Sequence, residues 1–194
     1  MTEHPGERSV RDLDPRSLRG LAHPLRMRLL AELRLRGPAT ASQLGGRLGE
    51  SSGSTSYHLR QLAVHGFVED DPERGKGRER WWRAVHMGTR TTDELIHHQD
   101  PEVRGAMSTL LHEMASGHAL ELSTFIGSFY DWPDEWRDAS SLSDYSLRLT
   151  PELARELNKK LHQLVESYPS LEDETPEGAV GYRVHLHGFP RPAD

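Results

Sequence analysis

Small hydroxyl side chains, an amide and a guanidinium alternate with apolar side chains in residues 51–68, which read SSGSTSYHLRQLAVHGFV. Serine, threonine and glutamine side chains form hydrogen bonds with base edges, and arginine binds guanine or a phosphate. A short helix that presented these groups on one side would suit the major groove of DNA. The polar candidates are Ser54, Thr55, Ser56, His58, Arg60 and Gln61.

The same stretch has the pattern of the helix that must position these groups. Ser51 or Ser52 can cap a helix N-terminus, because a hydroxyl oxygen accepts a hydrogen bond from an otherwise unpaired backbone N–H. Gly66 suits the left-handed conformation that follows a helix. The pattern is also typical of an ordinary amphipathic surface helix. Its apolar stripe comprises Tyr57, Leu59, Leu62 and Ala63.

Three further helices are predicted before this one. A helix over 15–21 begins on a proline, and a second proline at position 24 disfavours helix at the residue before it. Leucines three and four apart predict the next helix, over 24–35. Thr40 caps a third, over 41–48. Two short helices joined by a few residues, the second polar on its free face, are typical of a helix-turn-helix.

A β-hairpin is predicted directly after the polar helix. Residues 67–69 and 80–85 have strand composition, and the charged, glycine-containing segment between them predicts a turn. A basic hairpin tip beside a reading helix suits contact with phosphates or the minor groove; the alternative is a solvated hairpin. Trp81 and Trp82 fall on opposite faces, so one of them is expected to pack on the helices. The basic residues of the tip are Arg74, Lys76, Arg78 and Arg80.

Three segments carry a family resemblance: LRGLAHPLRMRLLAEL, ATASQLGGRLGESSGSTSYHLRQLAVHGFVE and GRERWW. Together, residues 18–85 resemble the winged-helix domain of ArsR-type bacterial transcriptional regulators. The resemblance implies a homodimeric regulator, often a repressor, that binds an inverted repeat in double-stranded DNA. By the same resemblance the DNA-facing candidates are Gln43, Ser52, Ser54, Thr55, Tyr57, His58, Arg60 and Gln61.

That family's founding members sense metals through a cysteine-bearing motif in the recognition helix. The chain has no cysteine, so this thiolate site is absent. The lack of cysteine also excludes disulfides and cysteine nucleophiles. No apolar run approaches the length of a membrane span, and residues 1–15 do not read as a signal peptide. We therefore expect a cytoplasmic protein that does not contact membranes.

Charge is distributed unevenly along the 194 residues, whose net charge is −6. Residues 1–90 carry 16 Arg or Lys and 11 Asp or Glu, whereas residues 91–194 carry 8 and 19. A basic half suits a polyanion, and an acidic half indicates a different role. The sequence thus predicts a flexible tail over 1–14, a winged helix-turn-helix over 15–90, and a region for dimerisation, with a candidate effector site, over 91–194.

A long helical pattern begins at Pro101 and continues for about seven turns, to about residue 129. Such a helix is too long to bury its apolar stripe against one small winged helix. We expect it to pair with the same helix of a second chain, the alternative being a hairpin within one chain. The dimerisation candidates are Met107, Leu110, Leu111, Met114 and Leu122.

The rest of the acidic half predicts a small α/β unit. Residues 145–149 and 182–186 alternate as strands, and a helix over 150–168 lies between them. The fold class is therefore mainly α with a β-hairpin wing (α+β): a winged helix-turn-helix, a long dimerisation helix and this C-terminal unit. A small-molecule effector is a candidate partner, in a pocket that would be lined by Phe125, Phe129, Trp132 and Trp136.

Enzyme chemistry and cofactors are not expected. The chain has no Walker or dinucleotide-binding motif, and its paired acids lie in polar linkers where nothing raises a pKa. No dedicated metal motif is present, although the chain has 12 histidines. The candidate metal ligands, all in the second half, are His185, His187, His118 and Glu121.

The sequence predicts a regulator that binds specific DNA sequences as a homodimer. Two alternatives stay open. One is a winged helix that binds proteins and no DNA, and the other is a metal-responsive regulator that uses histidines. Salt dependence separates DNA binding from an apolar protein interface, because phosphate contacts weaken steeply with ionic strength.

Overall fold

The computed structural model describes residues 10–72, 74, 80–168 and 177–191. The chain divides into two compact units, residues 1–122 (unit 1) and residues 123–194 (unit 2). The domain boundary predicted at residue 90 falls within unit 1.

Four helices open unit 1: α1 (Pro15–Leu21), α2 (Pro24–Arg36), α3 (Ala41–Leu48) and α4 (Ser52–Val64). Each begins at a side-chain cap that satisfies an unpaired backbone N–H. Asp14 and Ser17 form a reciprocal capping box on α1, with Ser17 N donating to Asp14 Oδ1 at 2.6 Å. The backbone N–H of Ser54 donates to Ser51 Oγ at the start of α4. The four predicted helices are confirmed, because their caps and stops are local.

A three-stranded antiparallel sheet accompanies the helices. Its strands are β2 (Ala39–Thr40), β3 (Val68–Asp70) and β4 (Trp81–Ala84), in the order β2-β4-β3. The predicted hairpin is confirmed as β3 and β4, although each predicted strand differs from the observed one by one residue at each end. The two-residue strand β2 was not predicted, because its pairing partner lies about 40 residues further along the chain.

A second sheet pairs the N-terminal segment with the end of the wing. Strand β1 (Val10–Asp12) runs parallel to β5 (Gly88–Arg90), with Arg11 opposite Thr89. Leu13, directly after β1, is 2% exposed. The predicted flexible tail is therefore wrong for residues 10–14, because they find a pairing partner that only the fold brings close. Residues 1–9 lie outside the described residues.

The core of unit 1 lies where α2 and α4 cross, with β4 covering one side. Trp82 is 3% exposed and Trp81 is only partly buried, so the prediction that one tryptophan packs on the helices is confirmed. Leucines form most of this core, and those with no exposed surface are Leu18, Leu29, Leu44, Leu59 and Leu62.

Leu59→Ala is expected to lower the free energy of unfolding by about 2–5 kcal/mol, because Leu59 is fully buried and its removal leaves a cavity. Chemical denaturation measures the change. Val64→Ala is the matched control on the same helix, since Val64 is 67% exposed and a surface change shifts stability by about 0.5 kcal/mol or less. A similar loss for both variants would contradict the packing of α4 described here.

Two helices complete unit 1. The short α5 (Asp93–Ile96) precedes α6 (Pro101–Gly127), the predicted long helix, whose first 22 residues belong to unit 1. Leu110 is 4% exposed and Met107 packs against the same core. Leu110 was predicted to contact a second chain, and this is wrong because the core of its own chain covers it. The contact predicted for Met107, which is only partly buried, stays a prediction.

Unit 2 contains a short 3-10 helix (Phe129–Asp131), α7 (Asp134–Asp138) and α8 (Pro151–Glu166). None of its described residues is buried. The strands predicted over 145–149 and 182–186 are wrong, since both stretches are irregular and Tyr145 is 81% exposed. Alternation alone supplies no neighbouring strand edge, and an unpaired strand is not stable. The predicted C-terminal α/β unit is therefore absent from the described residues.

No helix in the described ranges combines the length and the apolar character that crossing a bilayer requires.

Candidate nucleic-acid interface

Helix α4 turns its apolar side into unit 1 and its polar side outward. Thr55, Leu59 and Leu62 are buried on the inner side. Thr55 Oγ1 donates a hydrogen bond to Ser51 O at 2.9 Å, and the side chain has no exposed surface. The prediction that Thr55 faces DNA is therefore wrong. Tyr57, which was placed in the apolar stripe, is 53% exposed.

Close approach of α3 and α4 explains the burial of Thr55. A Cβ atom at Gly45 would lie 2.7 Å from Glu50 O and 3.2 Å from Thr55 Oγ1. Only a glycine allows the two helices to come this close. Gly45 is a residue that sequence reasoning missed, and its signal was a glycine in the middle of a predicted helix.

The outward side of α4 holds most of the predicted DNA-facing residues. Ser52, Tyr57 and Arg60 are exposed, and Ser54 and Gln61 are partly exposed. Gln43 on α3 is also exposed, but its Oε1 accepts a hydrogen bond from Thr40 N at 3.0 Å. The amide NH₂ of Gln43 is therefore the group that could donate a hydrogen bond to DNA.

A cleft of about 240 Å³ lies between the start of α3, the outer side of α4 and strand β4. Arg60 and Arg80 both line it, and so do Ala41 and Ser42 at the first turn of α3. Two guanidinium groups beside the N-terminal turn of a helix suit an anion such as a phosphate. The complete lining is Thr40, Ala41, Ser42, Ser56, Arg60, Arg80 and Trp82.

The two arginines of this cleft differ in their surroundings. Arg80 Nε lies 2.9 Å from Asp70 Oδ2, and the guanidinium carbon lies 4.1 Å from the centre of the Trp82 ring. Arg60 forms no hydrogen bond or ion pair with any residue that the structure describes. A guanidinium without a partner keeps all its donors for a ligand, so Arg60 is the stronger candidate for direct readout.

The predicted basic tip of the wing lies mostly outside the described residues, which omit Lys76 and Arg78. Arg74 is described, and its Nε lies 3.8 Å from Asp71 Oδ2. Asp71 is 6% exposed, and its backbone N–H donates to Trp81 O at 2.9 Å. Asp71 thus holds the base of the wing together.

His58 stands at the border between the two sides of α4. Its ring centre lies 4.3 Å from that of His23, the residue that caps α2. Burial lowers the pKa of both imidazoles below the ordinary value of 6.5, and the nearby Arg26 guanidinium lowers both further. His58 therefore contributes to helix packing as well as to the outer surface.

Acid is expected to destabilise unit 1 below about pH 6.5, because three histidines are protonated more readily after unfolding. Burial lowers the pKa of His65 as it does for His23 and His58. The unfolded chain thus binds more protons than the folded one, and the free energy of unfolding falls as the pH decreases. Denaturation curves between pH 7.5 and 5 measure this slope.

The control for this effect is His58→Gln, which is expected to flatten the slope. An unchanged slope in that variant would contradict the histidine origin of the effect. Carboxylates affect the free energy of unfolding at lower pH. For example, hydrogen bonds from Ser17 hold the pKa of Asp14 below its ordinary value of 3.8.

Residues 21–71 match the family model of a helix-turn-helix domain. The matched range contains every element from α2 to β3. It confirms the helix-turn-helix arrangement that the sequence predicts, at a level coarser than the ArsR-type family. The outer side of α4 is thus the exposed side of the second helix of a helix-turn-helix domain.

Several solved structures also align with the chain. The transcriptional regulator Tm0710 from Thermotoga maritima is 11% identical, with 77% of this chain and 80% of that chain covered and a TM-score of 0.29. A doubly substituted mutant of Lactococcus lactis ZitR in its apo form is 17% identical, with 74% and 80% covered and a TM-score of 0.31. The transcriptional regulator PA4135 is 14% identical, with 80% and 90% covered and a TM-score of 0.32. No curated protein sequence matches the chain.

The histidine candidates are not gathered into a larger site. Within the ranges that the structure describes, no three His, Asp or Glu side chains lie close enough together to hold a metal ion. The ring centres of His185 and His187 are 6.3 Å apart, in a segment that is not a strand. A metal hypothesis would have to rest on this pair, or on His118 with Glu121.

Proposed function

We propose that this protein is a DNA-binding transcriptional regulator without enzymatic activity. The observation that carries the proposal is the guanidinium of Arg60, which has no partner among the described residues and lines a cleft at the start of α3 within a matched helix-turn-helix domain. The outer side of α4 would enter the major groove, where Arg60 and Gln61 suit base edges. A backbone phosphate would occupy the cleft beside Arg80.

The finer part of the proposal is an ArsR-type repressor that binds an inverted repeat as a homodimer. Support comes from the part of α6 that its own chain leaves uncovered. Leu111, Met114 and Leu122 are 54%, 45% and 38% exposed, and residues 105–127 contain no Lys or Arg. Exposed apolar side chains on a helical segment without Lys or Arg indicate a protein partner. A second copy would supply the two-fold symmetry that an inverted repeat requires.

Selection from random duplex DNA at moderate salt tests this function. Enrichment of an inverted repeat, with half-sites about one helical turn apart, is expected from two α4 helices related by a two-fold axis. Enrichment of a single half-site would support DNA reading and contradict the dimer. If folded protein enriches no sequence, the selection is repeated in cell extract, which supplies any effector that DNA binding requires. A lack of enrichment in both selections would contradict the proposal.

A protein-binding role without DNA is the second candidate, and the pairing of wing cations favours it. Arg80 pairs with Asp70, and Arg83 pairs with Glu69 at 2.8 Å. Cations that are already neutralised attract phosphates less. The dependence of binding on salt separates the two roles, because counterion release makes DNA affinity fall steeply as salt increases.

A further inference from the structure

The side chain of Arg11 reaches from the N-terminal strand to the C-terminal end of α4. Its Nη1 donates a hydrogen bond to His65 O at 2.5 Å, across 54 positions of sequence. The guanidinium carbon also lies 4.6 Å from the centre of the Phe67 ring. The Arg11 side chain thus contacts His65, which caps the C-terminal end of α4, and Phe67, which is buried in the core.

Helix ends leave backbone carbonyl groups without partners, and a cation is favourable there because it opposes the helix dipole. Backbone bonds satisfy some of the groups at the end of α4. The Phe67 N–H donates to Leu62 O at 2.9 Å, and Gly66 adopts a φ of 71° that turns the chain away. Arg11 satisfies the carbonyl of His65 and so completes this end of the helix.

Arg11 is itself held firmly. Strand β1 pairs with β5 on both sides of Arg11, and Asp12 Oδ1 accepts a bond from Arg90 Nε at 2.8 Å. Leu13 is buried, and its N–H donates to Arg90 O at 2.9 Å. A side chain on so short a strand can hold a helix only if the strand is anchored, and these contacts anchor it.

We propose that Arg11 is a positioning residue for DNA reading, which fixes the C-terminal end of α4 and hence the direction of the helix in the groove. The DNA-reading part of this inference rests on the proposed function. The anchoring of α4 by Arg11 does not depend on it. Since β5 leads directly into α5 and α6, the same contact links the reading helix to the segment that precedes α6.

Hydrogen exchange on the full-length protein tests the anchoring without DNA. Arg11→Ala is expected to raise the exchange rates of the Gly66 and Phe67 amides about tenfold, because a charge-assisted hydrogen bond is lost. Arg11→Lys keeps a cation and should restore part of the protection. Arg36→Ala is the matched control, since it removes an exposed arginine at the end of another helix. Unchanged exchange in Arg11→Ala would overturn the proposal.

DNA binding tests the positioning. With a duplex enriched by the wild-type protein, Arg11→Ala should lower the affinity for that duplex about tenfold and leave the affinity for random duplex unchanged. The dependence on salt should also stay the same. If Arg11→Ala reduced the salt slope by about one, Arg11 would be a phosphate contact and the proposal would be overturned. An unchanged preference of Arg11→Ala for the enriched duplex would also overturn it. If the wild type enriches no duplex, the proposed function fails and the positioning role fails with it, while the exchange result still decides the anchoring.

Discussion

Arg60→Ala is expected to lower the affinity for the selected duplex by about 10- to 100-fold, because each good contact to a base edge contributes about 1–3 kcal/mol of discrimination. Gln61→Ala should have an effect of the same kind. Arg60 is exposed and has no partner among the described residues, so its replacement removes no contact within the fold. Fluorescence anisotropy with labelled duplex measures the affinity, and the thermal unfolding midpoint should stay unchanged.

The control variants separate base reading from phosphate contact. Arg36→Ala, at the far end of α2, should bind as the wild type does. Lys76→Ala and Arg78→Ala, in the basic tip that the sequence predicts for the wing, should weaken binding to all sequences equally and reduce the salt slope by about one each. If Arg60, Gln61, Lys76 and Arg78 could each be replaced without loss, neither α4 nor the wing would contact DNA.

Leu111→Glu combined with Met114→Glu is expected to convert the proposed homodimer into monomers. The two side chains lie on the uncovered part of α6, and a carboxylate buried in an apolar interface is costly unless it is paired. Affinity for the inverted repeat should fall about 100-fold or more, since the second half-site no longer binds at high effective concentration. Sedimentation velocity and the same anisotropy assay measure the two effects.

The same substitution on the other side of α6 is the control. Leu120 is 69% exposed. It lies nine positions after Leu111, and because each residue of an α-helix turns the chain by about 100°, the two side chains point to opposite sides of α6. Leu120→Glu should leave the dimer intact. A dimer that survives Leu111→Glu with Met114→Glu, or that only Leu120→Glu dissociates, would contradict the interface proposed here.

Local signals in the sequence were sufficient for the four opening helices and the wing. Thr40 and Ser51 cap helices within three residues of themselves, and Gly66 ends α4 in the left-handed conformation that was predicted. Capping, helical periodicity and the alternation of a hairpin act over a few residues, so they can be read from one chain. The helix-turn-helix arrangement followed from them.

Features that join distant segments were decided by the tertiary structure. The pairing of β1 with β5 joins residues 78 positions apart, and Arg11 reaches α4 across 54. Local sequence patterns do not predict such contacts, because the sequence between two distant segments does not determine where they meet. For the same reason, alternation over 145–149 predicted a strand, although none of the described residues forms a strand beside it.

The direction in which each helical side chain points was also settled by packing. Thr55 and Tyr57 are two residues apart, and periodicity alone assigned the tyrosine to the core. The close contact of α3 with α4 at Gly45 leaves room on the inner side for a threonine, and the larger ring lies outside. Likewise Leu110 and Leu111 are neighbours with the same apolar character, yet the core of unit 1 covers only Leu110. Sequence determined which segments are helical and amphipathic, while the positions of the neighbouring elements decided which residues stay exposed to bind a partner.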